Sequence, residues 1–338
     1  MKKTIYIHIG TPKTGTTSIQ KFCYLNRDIL EEKHDLFYPI TKEKNNRAEC
    51  NRIETNGNFF KRESFYPKFI ELIKSTKCSR ILISEEMIFL NEPLQFIEND
   101  IFNEYSIKII VYVRNSVEFL TSLWSESSGN LSYPTSFESF VEKIKYSEKL
   151  KNLIKIADKI GAENVILKSY EKKQLKNGDV VSDFLDIFDI ETNNDFKSVE
   201  KQNLSIDRKY CDIVQFMIQS RYILNKENVG KLLALCKSGD ERKVVETLTD
   251  DTIKNICDTY APIEKELSKK FNNNKPIFID TYPRCYGKKR NPYESISKED
   301  IVKMKKSGLE KIKIPLFKIL KLKTRPWRYK IKECFSCN

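Results

Sequence analysis

The sequence predicts an α/β fold, a parallel sheet flanked by helices with a helix-rich second half. Three observations carry that expectation. Short β-branched and aliphatic runs recur at residues 4–9, 80–84, 107–113 and 164–168. Helical periodicity fills the gaps between them, so the strands are joined by crossovers and run parallel. From residue 179 to 271 the pattern is mostly helical, with an evident break at Lys201-Gln-Asn-Leu-Ser205.

Each element has its own reason. Thr4-Ile-Tyr-Ile-His-Ile9 reads as a short buried strand, followed by a Gly/Pro/Thr loop at 10–15. A helix is expected from Thr16 to about Glu32, with Ile19, Phe22, Cys23 and Leu30 facing the core. Residues 41–63 are rich in Asn, Lys and Glu and read as a surface excursion. Arg80–Ser84, Ile107–Val113 and Asn164–Lys168 supply the remaining strands, and Phe137 to Ile160 carries a helical pattern. After Asn272-Asn-Asn274 the composition becomes irregular and basic. The expected division is therefore a domain at 1–274 and a basic extension at 275–338.

Charge distribution narrows the function. The 338 residues hold 60 Lys+Arg against 47 Asp+Glu, a formal charge of +13. Residues 275–338 hold 18 of these cations and 6 of the anions, and the rest of the chain holds 42 and 41. The body is nearly neutral, which excludes a general nucleic-acid binder. The apolar run at the N-terminus is shorter than the about 7–15 residues of a signal core. No stretch approaches the roughly 18 apolar residues of a membrane span. Nine scattered cysteines then point to reduced thiols in the cytoplasm. Cys334-Phe-Ser-Cys337 lacks two further ligands at suitable spacing, so no metal site is expected there.

Gly10-Thr-Pro-Lys-Thr-Gly15-Thr-Thr-Ser18 follows a strand and opens a helix, the setting for anion binding at a helix N-terminus. The amides of Gly15, Thr16 and Thr17 can point at a phosphate, the hydroxyls of Thr14, Thr16, Thr17 and Ser18 add donors, and Lys13, after Pro12, supplies a point charge. Gly10 and Gly15 have the spacing of the ATP-binding loop, but Thr16 stands where its lysine belongs. The Pro-Lys-Thr-Gly-Thr-Thr arrangement instead resembles the 5′-phosphosulfate loop of the sulfotransferase family, and in particular its bacterial carbohydrate-sulfotransferase-like members. The resemblance implies a P-loop-type fold. It also implies transfer of the sulfuryl group of 3′-phosphoadenosine 5′-phosphosulfate (PAPS) to a hydroxyl of a carbohydrate or glycolipid, without a metal.

The same resemblance extends along the chain. The family reads the 3′-phosphate with an Arg after a parallel strand and a Ser eight residues on, matched here by Arg114 and Ser122. Val165-Ile-Leu-Lys-Ser-Tyr170-Glu171 resembles the family's strand ending in Tyr-Glu, which implies either a place for Tyr170 near the adenine or a role in core packing. Lys201-Gln-Asn203-Leu-Ser205 resembles an Asn-x-Ser element of bacterial members, implicating Asn203. The Arg-Lys-Gly triplet of animal cytosolic members is missing.

The acceptor hydroxyl needs a base. Glu85 and Glu86 follow the strand at 80–84, where a carboxylate faces the same crevice as the loop. Adjacent strand residues point to opposite faces, so one of the two faces the site. The Ser-x-Glu of some sulfotransferases favours Glu86. His34 and Asp35 are the runner-up positions, and His8 reads as a core residue. Two rival readings stand beside this one: an ATP-dependent P-loop kinase, with the strand-end carboxylate positioning Mg²⁺, and a non-catalytic interaction module on the same fold. Finally, residues 312–330 interleave apolar side chains with Lys and Arg, a composition suited to peripheral contact with an anionic membrane.

Overall fold

The β-branched runs form the strands they predict. In the computed structural model, β1 (Thr4–His8), β2 (Leu36–Phe37), β3 (Arg80–Ser84), β4 (Ser106–Val113) and β5 (Val165–Ser169) make one parallel sheet, ordered β2-β3-β1-β4-β5. The structure describes residues 2–39, 66–90, 103–129, 137–199 and 250–279, with short pieces at 97, 205–206, 237–238, 248 and 302. The basic segment at 312–330, the excursion at 41–63, the terminal Cys pair and Asn203 lie outside the described residues.

Among the described residues the α-helices are α1 (Thr16–Leu25), α2 (Arg27–His34), α3 (Tyr66–Ser75), α4 (Met87–Leu90), α5 (Ser116–Gly129), α6 (Phe137–Ile144), α7 (Tyr146–Ile160), α8 (Val180–Asp186) and α9 (Asp250–Phe271). Two expected helices are each broken in two. The one from Thr16 stops at Leu25 because Asn26 turns its amide onto Phe22 O (3.0 Å) and Lys197 O (3.1 Å), competing with the helical ladder. The one from Phe137 breaks at Lys145, which adopts φ +48°. Among the described residues no helix is long and apolar enough to cross a membrane.

The chain divides into two compact units. The first comprises Met1–Asn115, Tyr146–Gln202 and Tyr260–Thr281; the second comprises Ser116–Lys145, Asn203–Thr259 and Tyr282–Asn338. The first unit holds the sheet. Register runs Thr4↔Arg80 to His8↔Ser84 on one side of β1 and Thr4↔Ser106 to His8↔Ile110 on the other. One sheet face packs Leu82, Ile110 and Tyr112 against Ile19 and Phe22 of α1 and Phe184 of α8. Strands buried on both faces read as continuous apolar runs, which is why β4 is legible as Ile-Ile-Val-Tyr-Val. The second unit pairs Trp124 of α5 with Phe137 of α6 edge-to-face at 6.0 Å. It also carries a short antiparallel pair, β6 (Ser205–Ile206) and β7 (Lys237–Ser238).

Topology marks where a ligand belongs. The chain leaves β1 toward β2 and β3 on one side and returns to β4 on the other. The carboxyl end of β1 is thus the switch point of the sheet, where open α/β folds bind ligands.

Candidate active site

The loop after β1 leaves the sheet late. Thr11 N donates to Tyr112 O (2.8 Å), and Tyr112 N donates to Gly10 O (2.8 Å), so β1 stays tied to β4 until the turn begins. Lys13 (φ +68°) and Gly15 (φ +76°) then both enter the left-handed region, with Thr14 between them outside it. Such alternation turns successive amides inward as an anion-binding nest. Glycine suits position 15 on two grounds: its φ, and the space around it. A Cβ there would sit 2.7 Å from Val180 Cγ1 and 3.3 Å from the Tyr170 ring.

Gly15 is also the N-cap of α1, with Ser18 N (2.9 Å) and Ile19 N (3.1 Å) donating to its carbonyl. The cap carries no side-chain hydrogen bond, and the first turn has no acidic residue. The positive helix end is thereby kept for an outside anion. The hydroxyls divide. Thr14 Oγ1 is spent on Thr11 O (2.5 Å), bracing the turn. Thr16 is buried and donates to Glu86, while Thr17 is exposed and Ser18 half-buried. Pro12 is buried and Lys13 half-buried.

The two candidate carboxylates separate as strand alternation requires. Glu85 is 1% exposed, and its N–H donates to His8 O (2.9 Å), continuing the β1–β3 pairing. Glu86 is half-buried; its Oε2 accepts from Thr16, and its Cβ lies close beneath Gly10. Glu86 is therefore the member of the pair that lies against the loop.

His8 and Gln20 hold this strand end, a role the motifs did not disclose. His8 Nδ1 pairs with Ser84 Oγ at 2.8 Å, and Gln20 Nε2 donates to Ser84 O at 3.5 Å. The register His8↔Ser84 makes them side-by-side neighbours on one sheet face. Burial draws the His8 imidazole down to about 3, so it is neutral, and its Nε2 has no hydrogen-bond partner. Gln20 stands four residues after Thr16 on α1, so one helix face reaches both Glu86 and Ser84. That spacing was a readable signal.

On the other side, Val113↔Ser169 sets the register of β4 and β5, and Tyr170 N donates to Val113 O (2.7 Å). The next residues along, Arg114 and Tyr170, therefore stand side by side. The Arg114 guanidinium lies over the Tyr170 ring at 5.6 Å, and its Nη1 donates to Lys13 O at 3.3 Å. Tyr146 supports Arg114 from behind, its hydroxyl 3.5 Å from Arg114 O; burial, with the nearby Glu264 charge, pushes that phenol well up. Glu171 is 6% exposed and accepts from Ile279 N (2.8 Å), fixing the turn after Tyr170.

The remaining candidates are described each in its own unit. Ser122 is half-buried in the second turn of α5, in the second unit. His34 and Asp35 precede β2 at the amino end of the sheet, whereas the loop and Glu86 lie beyond its carboxyl end. Burial would raise the Asp35 carboxyl, but hydrogen bonds from Ser79 and the Arg80 charge outweigh it and hold it low. These two residues fasten β2 to β3 at the far end of the sheet and are withdrawn as base candidates. Among the described residues no group of three or more His, Cys, Asp or Glu is arranged to hold a metal ion.

Thus a left-handed loop with a lysine, a helix N-terminus, a carboxylate and an arginine on an aromatic platform rise from the same ends of β1, β3, β4 and β5. Comparison with known proteins agrees with this geometry: the family model for the sulfotransferase domain matches residues 4–206, well over half of the chain. Neither the curated proteins nor the solved structures yield a match.

Proposed function

The chain belongs to the sulfotransferase domain family, and from that premise we propose that it transfers the sulfuryl group of PAPS to a hydroxyl of a carbohydrate or glycolipid acceptor. The observation that carries the reading is the pairing of two cationic positions on one sheet end. The first is the Lys13–Thr17 loop, suited to a 5′-phosphosulfate. The second is Arg114, suited to a second phosphate on the same nucleotide. An ATP site has no need of the latter.

The reaction is an in-line displacement. The acceptor oxygen forms a bond to sulfur as the bond from sulfur to the bridging phosphate oxygen breaks, leaving adenosine 3′,5′-bisphosphate. Lys13 and the N-terminal amides of α1 neutralise the charge that grows on the bridging oxygen and phosphate. Glu86 receives the acceptor's proton. Thr16 donates to Glu86, which aims the base at the loop. Ser122, Tyr170 and Asn203 belong to the nucleotide side of this reading, through the family resemblance.

The acceptor class rests on the likeness of the loop to bacterial carbohydrate-modifying members. The basic, apolar-interleaved composition of 312–330 favours an acceptor presented at the inner leaflet of an anionic membrane. We assign 1–274 to the catalytic domain and 275–338 to that peripheral role, in a cytoplasmic protein. Incubation with sulfur-labelled PAPS and a panel of oligosaccharides and lipid-linked sugars tests the proposal. Label should pass to at least one acceptor with wild-type protein and fall about 100-fold or more with Lys13→Ala. Undiminished transfer by Lys13→Ala would overturn the mechanism.

A further inference from the structure

Lys13 is a non-glycine residue at φ +68°, a conformation that costs about 1–2 kcal/mol and needs a partner to hold it. The loop has a brace on its inner side, Thr14 Oγ1 to Thr11 O (2.5 Å). Its outer side is braced by Arg114, whose Nη1 donates to the carbonyl of Lys13 (3.3 Å). Arg114 is itself only 8% exposed, with the Tyr170 ring under its guanidinium and the Tyr146 hydroxyl at its carbonyl. The same Tyr170 ring touches the space beside Gly15. Arginine and loop therefore share two contacts, one polar and one through an aromatic platform.

We propose that Arg114 serves both ends of the nucleotide: beyond facing the 3′-phosphate, it is a positioning residue for the 5′-phosphosulfate loop, acting through the Lys13 carbonyl. The guanidinium carries five donors in a fixed fork, enough in number to serve a carbonyl and a phosphate together. A 3′-phosphate drawn to Arg114 would thus be sensed at the residue that carries the catalytic ammonium. The inference rests on the PAPS reading, and its test is built to fail separately from it.

Calorimetric titration of the full chain with two ligands separates the roles. Adenosine 5′-phosphosulfate lacks a 3′-phosphate, whereas adenosine 3′,5′-bisphosphate has one. Arg114→Lys keeps a donor whose reach comes near that of Nη1 but loses the planar fork, and Arg114→Met removes the donor altogether. Both variants should bind the bisphosphate at least tenfold more weakly than wild type. For adenosine 5′-phosphosulfate, Arg114→Lys should stay within about twofold of wild type, and Arg114→Met should bind about fivefold to tenfold more weakly. Equal affinity of the two variants for the 5′-phosphosulfate would overturn the coupling and leave the donor reading intact. A wild-type chain that binds neither nucleotide would overturn the donor reading, and the coupling with it.

Discussion

At the scale of single residues, two buried or half-buried groups near one strand end have opposite work. Glu86 accepts from Thr16 at the rim of the loop, and His8, neutral and fully enclosed, pairs with Ser84 two residues earlier. If Glu86 takes the acceptor proton, Glu86→Gln should lower kcat by about 10²–10⁴-fold while affinity for adenosine 3′,5′-bisphosphate is retained. Initial rates and calorimetry on the same preparation check this. Loss of nucleotide affinity alone would make Glu86 a binding residue instead. For His8 the consequence is in stability. Its folded-state value is about 3 against an ordinary 6.5. Between those values the unfolded chain binds the extra proton, so stability falls as pH is lowered through that window. The contribution is about 1.4 kcal/mol per pH unit. Urea unfolding from pH 6.5 to pH 4.5 should show a shallower loss for His8→Asn than for wild type. Parallel slopes would mean that His8 is protonated in the folded protein.

At the scale of elements, the turn joining β1 to α1 decides the site. Gly15 is the point where strand, loop, α8 and the Tyr170 turn approach one another, and its φ is +76°. Gly15→Ala should destabilise the protein by about 1–2 kcal/mol from the left-handed backbone alone, with the Val180 contact adding to it. Urea midpoints measure this, and an unchanged midpoint would show that the loop relaxes elsewhere. The same scale shows what was readable beforehand. β3 and β4 were legible because strands buried on both faces are written as apolar runs, β1 from its alternation of Ile with other residues, and the edge strand β5 from its Val-Ile-Leu run. β2 was not, because two residues carry no period. The helix breaks at Asn26 and Lys145 were hidden for a different reason. Asn26 is captured by Lys197, 171 residues away, and no local window contains that partner. The site divides in the same way. Lys13, Gly15, Arg114 and Glu86 lie in contiguous motifs at strand ends. The Arg114–Lys13 link, the Tyr146 support and the His8–Ser84 pair join residues far apart in sequence and appear only when the sheet is assembled.

At the scale of the whole molecule, twelve of the thirteen net positive charges belong to residues 275–338, and the body carries the remaining one. The cations that the proposed function relies on, Lys13 and Arg114, are placed by backbone register instead of by bulk charge. The membrane role proposed for the tail is separable from transfer. Removing residues 312–338 should abolish cosedimentation with anionic vesicles while sparing transfer to a soluble acceptor, and undiminished vesicle binding would assign the membrane contact elsewhere. The central claim, that the sheet end is built for a nucleotide with phosphates at both 3′ and 5′ positions, has a more direct test. Calorimetric titration with adenosine 3′,5′-bisphosphate in the absence of Mg²⁺ should give saturable one-site binding, with no measurable heat from ATP under the same conditions. Tight binding of Mg·ATP, with the bisphosphate ignored, would contradict the account.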